Sequence, residues 1–433
     1  MSQRKVFSNA GWMIGEKLVN VIGLFFVNSY MAKYVGPENF GKIVFASTLF
    51  VFVQSFAWFG MQNVLFKRMS MNARGGMILA LATQPYRVIF LLLASSIVLS
   101  YLYLFGDKIT FIFGIASAIA SYYIVVDIFS TYNNSQLTSH INTITNIIGL
   151  GSAFLARFLF THFNMALYWF VIPIILIPMV PYLLRKFYYH RENKLHKRYL
   201  QRKKTYLYYM FNTGGALLLS SLSIILYTQI SNIFLAKLVS YAELGIYSVA
   251  MTVGGGIGII TQALITSYFS KIYEESNELL MQKYVYQINL IVIGLTIITL
   301  IGYYMIGRPI VLMLYGENYS AALSLIPITI LGTMFSSLGT ICARFLLKVN
   351  GYKFLSIKMC CIALLSIPTS YFLIKQFGGL GAVLTFLLIE LVSCTIANYF
   401  FKKGFLYKIH LNTAFYGWSL LVQRLKSQIN NKF

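Results

Sequence analysis

The stretch "NAGWMIGEKLVNVIGLFFVNSYMA" (Asn9–Ala32) is apolar along most of its length, yet it carries Glu16 and Lys17 side by side. As a helix it would rise about 36 Å at 1.5 Å per residue. That exceeds the hydrocarbon core of a bilayer, about 30 Å. Runs of this kind recur along the 433 residues, of which 58% are hydrophobic and 11% charged. A water-soluble domain of this length needs roughly a quarter of its residues charged, so that class is excluded. Short alternating segments of the β-barrel type are missing. The reading is an all-α polytopic membrane protein.

Twelve spans are expected, at approximately 9–32, 42–62, 77–105, 109–130, 141–162, 165–184, 207–236, 244–270, 284–306, 320–346, 355–375 and 380–401. The first is too long for a secretory signal and no small-residue cleavage site closes it, so it reads as a retained helix. The net charge is +24. In a soluble chain this would suggest nucleic acid; here the basic residues sit at the ends of apolar runs, which makes them topological. Twenty-five lysines and arginines fall on the side of the termini and even-numbered connections, and six on the other. The positive-inside rule then places both termini in the cytoplasm.

The longest polar segment, "RKFYYHRENKLHKRYLQRKK" (Arg185–Lys204), separates six spans from six. The expected division is an N-terminal lobe at 1–184, a basic cytoplasmic linker at 185–206 that grips anionic lipids, a C-terminal lobe at 207–403 and a tail at 404–433. An internal repeat supports it. "AKYVGPENFGKIVFAST" from Ala32 aligns with "AKLVSYAELGIYSVAMT" from Ala236, so Gly41 falls on Gly245 and Thr48 on Thr252. Both copies start on the cytoplasmic side. A parallel repeat implies two halves related by an axis along the membrane normal, with a site between them. In the tail, Ala414, Phe415, Trp418, Leu421, Val422 and Leu425 share one arc at helical spacing, as in a helix lying on the membrane surface. Cys342, Cys360, Cys361 and Cys394 all fall within apolar runs and read as small core residues, with no support for a disulfide framework or a metal site.

Ionisable groups in hydrocarbon cost several kcal/mol, so depth decides which of them matter. Arg157, Arg344, Asp127 and Lys358 lie near predicted helix ends, where snorkelling competes with function. Glu16, Lys17, Arg87 and Glu390 lie deeper. Asn9, Glu16 and Asn20 share one helical face, a polar stripe on span one. Span seven carries Ser220, Ser221, Ser223, Thr228, Gln229, Ser231 and Asn232, and span eight "GGGIG" (Gly254–Gly258); these suit either close packing or a water-filled cleft. No HExxH, phosphate-binding loop or nucleophile elbow is present, so no catalytic residue, cofactor or metal ligand is assigned and an enzyme is not expected.

"GWMIGEKLVNVIGLFFVNSYMAKYVGPENFGKIVFAS" (Gly11–Ser47) resembles the first two helices of the polysaccharide-repeat-unit flippases, the O-antigen (Wzx-type) group of the multidrug/oligosaccharidyl-lipid/polysaccharide exporter superfamily. The family's EK or ER pair reads Glu16–Lys17 here, and its "ARYLGPEQFG" reads "AKYVGPENFG". "NIFLAKLVSYAELGIYSVA" (Asn232–Ala250), "MLYGENYSAALSLI" and "GGLGAVLTFLLIE" resemble later landmarks. One departure is Ser231, where the family often has an acidic residue on helix seven.

The resemblance implies two six-helix lobes around a V-shaped central cavity. It also implies transport of undecaprenyl-pyrophosphate-linked oligosaccharide from the cytoplasmic to the periplasmic leaflet of the bacterial inner membrane, as in O-antigen and lipopolysaccharide biosynthesis. A polysaccharide polymerase and a chain-length regulator would be partners, the chain itself being a monomer. On this reading Lys17 and Arg87 meet the pyrophosphate and Glu16 positions Lys17. Asn20, Arg157, Arg344 and Glu390 complete the substrate-binding candidates. The alternatives are a multidrug exporter and a lipid II type exporter of the same superfamily. A membrane glycosyltransferase or polymerase would need a large outside loop, and the longest here is about a dozen residues.

Overall fold

The computed structural model describes residues 3–192, 203–349, 351–401, 404 and 406–416, and among these there are helices and turns but no strand. They form two compact units. The first, Met1–Val249 with Leu314–Tyr319, contains α1 (Gln3–Trp58), α2 (Met61–Met71), α3 (Ala73–Phe105), α4 (Lys108–Val126), α5 (Ile128–Ser135), α6 (Ser139–His162), α7 (Val171–Glu192), α8 (Lys203–Tyr209), α9 (Gly215–Phe234) and most of α10 (Tyr241–Gly255). The second, Ala250–Met313 with Ser320–Phe433, contains α11 (Ile257–Glu274), α12 (Glu278–Gly302), α13 (Arg308–Tyr315) up to Met313, α14 (Ala322–Lys348), α15 (Tyr352–Cys394), α16 (Ile396–Tyr399) and a helix α17 at 406–416. The expected seventh span, now α9, therefore clusters with the first six.

Local signals start these helices. Asn72 Oδ1 accepts from Gly75 N at 2.8 Å ahead of α3, and Asp107 Oδ1 accepts from Thr110 N at 3.2 Å ahead of α4. Asn277 does the same for α12 through Leu279 N at 2.9 Å. Such caps satisfy amides that the first turn leaves without a partner. Two long helical runs are broken inside. α1 bends at Gly36, whose φ of 78° lies in the left-handed region, and Pro37 then begins the next helical stretch. α15 breaks at Gly378.

Among the described residues ten helical stretches are long and apolar enough to cross a membrane, and two of the ten contain these breaks. The chain is a multi-pass membrane protein. Its exposed surface is apolar to match: Ile97, Phe105, Ile298 and Met313 are each about two-thirds exposed or more, a surface stable only against lipid. The cores are inside each unit. Phe50, Met61, Leu65, Leu91, Phe129 and Met210 cluster in the first, and Ile265, Phe269, Ile288, Ile341, Phe345 and Ile409 in the second.

The repeat read from sequence is visible as a contact within the first unit. A Cβ added to Gly41 would lie 1.7 Å from Tyr241 O, and one added to Gly245 would lie 2.2 Å from Pro37 O. Gly41 and Gly245 are equivalent positions of the repeat, and so are Pro37 and Tyr241. The contact is thus reciprocal: each glycine, lacking a Cβ, lets the other stretch's backbone approach.

α17 starts at 406, before the expected Leu411, and turns Leu406, Ile409 and Thr413 inward while Phe415 is exposed. Thr413 Oγ1 accepts from Asn289 Nδ2 at 3.2 Å. The helix packs on α12 through the face opposite the apolar arc. Trp418, Leu421, Val422 and Leu425 of that arc lie outside the described residues, as do residues 193–202 of the basic linker. Arg185 belongs to neither linker nor surface: α7 runs on to Glu192 and buries it.

Candidate functional site

Two cavities adjoin at the end of α1 in the first unit. One, about 330 Å³, is lined by Gln54, Ser55, Trp58, Gln62, Asn63 and Ser221 among apolar neighbours from α1, α2, α4 and α9. The other, about 450 Å³, is lined by Lys67, Arg68, Tyr209 and Thr213 with Val64 and Met71. Asn63 and Leu217 line both. Among the described residues no carboxylate lines either.

α2 makes this pairing. The chain turns at Phe59 and Gly60, both with positive φ, and α2 follows. Met61, Leu65 and Met69 anchor it in the core, and the opposite face presents Gln62, Asn63, Lys67 and Arg68 to the surface. The amides and hydroxyls above them are held by local bonds. Gln54 Nε2 donates to Ser121 Oγ at 2.9 Å, and Ser55 Oγ donates to Ser221 Oγ at 3.4 Å. On α9, Ser223 and Thr228 donate back to the carbonyls of Leu219 and Ile224, which satisfies them inside their own helix. Asn232 Nδ2 reaches Thr48 Oγ1 at 3.0 Å. The polar face of span seven is thus divided: Ser221 lines the cavity, while Asn232 ties α9 to α1. Ser231 is buried and bonded by Tyr247. In span eight, a Cβ on Gly254 would meet Thr329 Oγ1 at 1.8 Å, so that glycine serves close packing.

Trp58 is the one indole in the wall. It is 8% exposed, and the Arg87 guanidinium lies 4.7 Å from its ring centroid. Arg87 itself is 0% exposed. Its Nη1 donates to Val125 O and its Nη2 to Ala80 O, both at 3.0 Å, and Nε has no hydrogen-bond partner. Arg87 was expected to meet the substrate. It is fully buried and lies over the face of the wall tryptophan, whose ring attracts the cation.

The other sequence candidates are distributed. Arg157 is buried on α6 and donates to Asn28 Oδ1 on α1 at 3.2 Å. In the second unit, Arg344 donates to Thr266 Oγ1 at 3.1 Å and lies 5.8 Å from the Phe269 ring. Glu390 is buried within hydrogen-bonding reach of Ser336. Glu16, Lys17 and Asn20 fall on α1, but their side chains lie outside the described residues. Snorkelling does not hold for Asp127, Arg157 or Lys358. Lys358 is buried, with Nζ donating to Asn398 Oδ1 at 3.0 Å and Ser393 O at 3.3 Å. Cys342 and Cys394 are buried as expected, whereas Cys361 is exposed.

Asp127 and Arg185 form a group that the sequence did not suggest. Arg185 Nη1 donates to Asp127 Oδ2 at 2.5 Å, Nε to Thr145 Oγ1 at 2.9 Å, and Nη2 to Asn142 O at 3.3 Å and to Asn146 Oδ1. Asn142 extends the network to Asn133, Asn134 and Ser130 O. Lys67 and Arg68, which line the second cavity, were not among the sequence candidates either, because by count they are ordinary loop charges. Their signal is the amphipathic spacing of "MQNVLFKRMSM" (Met61–Met71).

Residues 30–324 match the sequence profile of the family described as "Polysaccharide biosynthesis protein". Among proteins of curated function none matches the chain. Among solved structures, an inward-facing multidrug resistance MATE family transporter of the MOP superfamily superposes with a TM-score of 0.69 at 12% identity, covering 90% of this chain and 94% of that one. The lipid II flippase MurJ, in an inward closed conformation, gives 0.68 at 15% identity, covering 96% and 92%. A MATE transporter from Vibrio cholerae, VcmN, gives 0.61 at 12%, covering 91% and 96%. At these identities the likeness is one of fold.

Proposed function

The chain belongs to the polysaccharide biosynthesis protein family, and from that premise we infer that it flips undecaprenyl-pyrophosphate-linked oligosaccharide repeat units from the cytoplasmic to the periplasmic leaflet. The observation that carries this reading is the pair of adjoining cavities. A lipid-linked sugar needs three environments at once. Its hydroxyls need amides, hydroxyls and an aromatic face; its pyrophosphate needs fixed cations; its tail needs lipid. Gln54, Gln62, Asn63, Ser221 and Trp58 suit the first, and Lys67 with Arg68 the second. Arg can fork onto a phosphate while Lys adds a point charge. The exposed apolar surface suits the third.

Lys17 would meet the same headgroup further along α1, with Glu16 holding it and limiting the net charge so that the anion can leave. Asn20 lies on the same stripe. A negative-inside potential supplies direction. One charge crossing 100 mV is worth about 2.3 kcal/mol, so an anion of about two charges gains roughly 4–5 kcal/mol on leaving. A coupling ion is then optional. The inner membrane, cytoplasmic termini and hand-over to a polymerase and chain-length regulator belong to the same proposal. Export of cationic drugs is the weaker reading, because a cation site needs carboxylates, whereas the described lining of the second cavity carries Lys67 and Arg68.

The test is flipping in proteoliposomes that carry the lipid-linked oligosaccharide. Lys67→Gln with Arg68→Gln is expected to lower the rate at least tenfold with unchanged thermal stability. An unchanged rate would remove the cationic cavity from the mechanism. Flipping that ignored membrane potential yet followed an ion gradient steeply would overturn the proposed driving force. In cells, deletion is expected to leave lipid-linked oligosaccharide on the cytoplasmic face.

A further inference from the structure

The second unit holds a cluster of soft ligands that no step of transport uses. Cys342 on α14, Cys394 at the end of α15 and His410 on α17 place two sulfurs and a ring nitrogen within 4.8 Å of one another. They come from three separate helices. Both cysteines are buried. Cys342 Sγ lies 3.2 Å from His410 Nε2, and the other ring nitrogen, Nδ1, lies 3.1 Å from Tyr399 Oη.

We propose that Cys342, Cys394 and His410 bind a soft divalent cation of the zinc class. Two thiolates and one imidazole are a zinc-type donor set, and ligand atoms so close need small shifts to reach bonds of about 2.0–2.3 Å. A metal-bound histidine characteristically donates its second ring N–H to a fixed acceptor, which here is the Tyr399 hydroxyl. Charge balance also fits. Binding releases two protons, one from each thiol, so a dication on two thiolates adds no net charge to a buried region that already holds Lys358 and Glu390. Burial of two small apolar side chains would account for the cysteines alone. It does not account for an imidazole aimed at their sulfurs with its second nitrogen held. Three protein ligands leave one tetrahedral position to a water. The consequence is mechanical: the metal pins α17 to α14 and α15.

The full chain, purified in detergent with reductant, is titrated with cobalt(II), and its metal content is measured as purified without chelator. The expected result is one metal per chain and a thiolate-to-cobalt charge-transfer band. Cys342→Ala and Cys394→Ala should each abolish the band, and Cys360→Ala with Cys361→Ala should keep it. Tyr399→Phe should weaken binding about tenfold, as loss of a partner behind a ligand does. Should the alanine variants not fold, the wild type decides: added zinc should raise its thermal unfolding temperature in detergent, and a chelator should reverse the rise. Absence of the band, its survival without both sulfurs, an unfolding temperature unmoved by zinc, or a Cys342–Cys394 disulfide in the purified chain would overturn the site. None of these outcomes bears on whether the cavities of the first unit carry substrate.

Discussion

Arg87 and Arg185 are both buried in the first unit, and their surroundings are opposite. Arg185 has a carboxylate, a hydroxyl, an amide and a carbonyl, so each of its nitrogens is bonded. Arg87 has two carbonyls and an indole face, its Nε has no hydrogen-bond partner, and among the described residues no carboxylate pairs with it. A charge in low dielectric must be compensated. Where a carboxylate does so, the group is a rivet, and its role ends with holding α5, α6 and α7. Where dipoles and a π-face do so, the charge stays available to its surroundings and fixes the ring it lies on. The first arrangement makes a wall, and the second orients the ring that lines the cavity, which on the proposed function a sugar would meet.

The comparison can be broken experimentally. Asp127→Ala leaves Arg185 buried without its counter-charge, and loss of one partner of a buried pair costs about 3–5 kcal/mol. The thermal unfolding temperature in detergent should fall sharply and expression should drop, while Asp127→Leu with Arg185→Met should recover much of the loss. Unfolding at the wild-type temperature after Asp127→Ala would show that the pair is no rivet.

Arg87→Lys is the next largest expected effect. It keeps the charge but loses the planar fork and the stacking. Flipping should fall about tenfold, equivalent to about 1.4 kcal/mol, with a smaller stability loss than Asp127→Ala. Full activity in Arg87→Lys would mean that charge alone matters. Trp58→Phe tests the ring itself. A smaller π-face should cost about 0.5–1 kcal/mol of the cation–π term and a few-fold in flipping of a sugar-bearing lipid. A sugar-free lipid pyrophosphate should be unaffected; equal effects on both would detach Trp58 from the sugar.

The smallest effect belongs to a pair whose acidic partners reach the surface, which sharpens the contrast. Lys42 Nζ lies 2.9 Å from both Asp107 Oδ2 and Glu38 Oε1. Burial alone would raise the Asp107 carboxyl. Hydrogen bonds from Thr110 and Lys42 outweigh it and hold the group below its ordinary value. A lowered carboxyl stabilises above its unfolded value and loses that contribution as pH falls through the folded one. Because Asp107 is 40% exposed, the contribution should stay under about 1 kcal/mol. Asp107→Asn should therefore flatten only the acid end of a stability–pH curve. A change at neutral pH as large as that of Asp127→Ala would erase the distinction between buried and surface pairs.

Much of the fold was legible because its causes are local. Apolar runs force helices wherever the backbone has no water to bond. Gly36–Pro37 marks the break in α1, and the repeated motifs put Gly41 opposite Gly245. The site was less legible. Lys67 and Arg68 were counted as topological charges, because a basic residue at a membrane edge looks the same whether it faces headgroups or lines a cavity. Arg87 was recognised as important by depth alone, and depth does not say whether a charge meets a substrate or a tryptophan 29 residues away in the chain.

The sequence by itself determined an all-helical membrane chain and the depth of Arg87 and Glu390, since each follows from composition and position within one apolar run. Only the tertiary structure decided partners: Asp127 with Arg185, Arg87 with Trp58, Cys342 and Cys394 with His410. The physical reason is that a helix encodes which of its own faces is polar, but the group that meets that face comes from another helix, chosen by how the whole bundle packs.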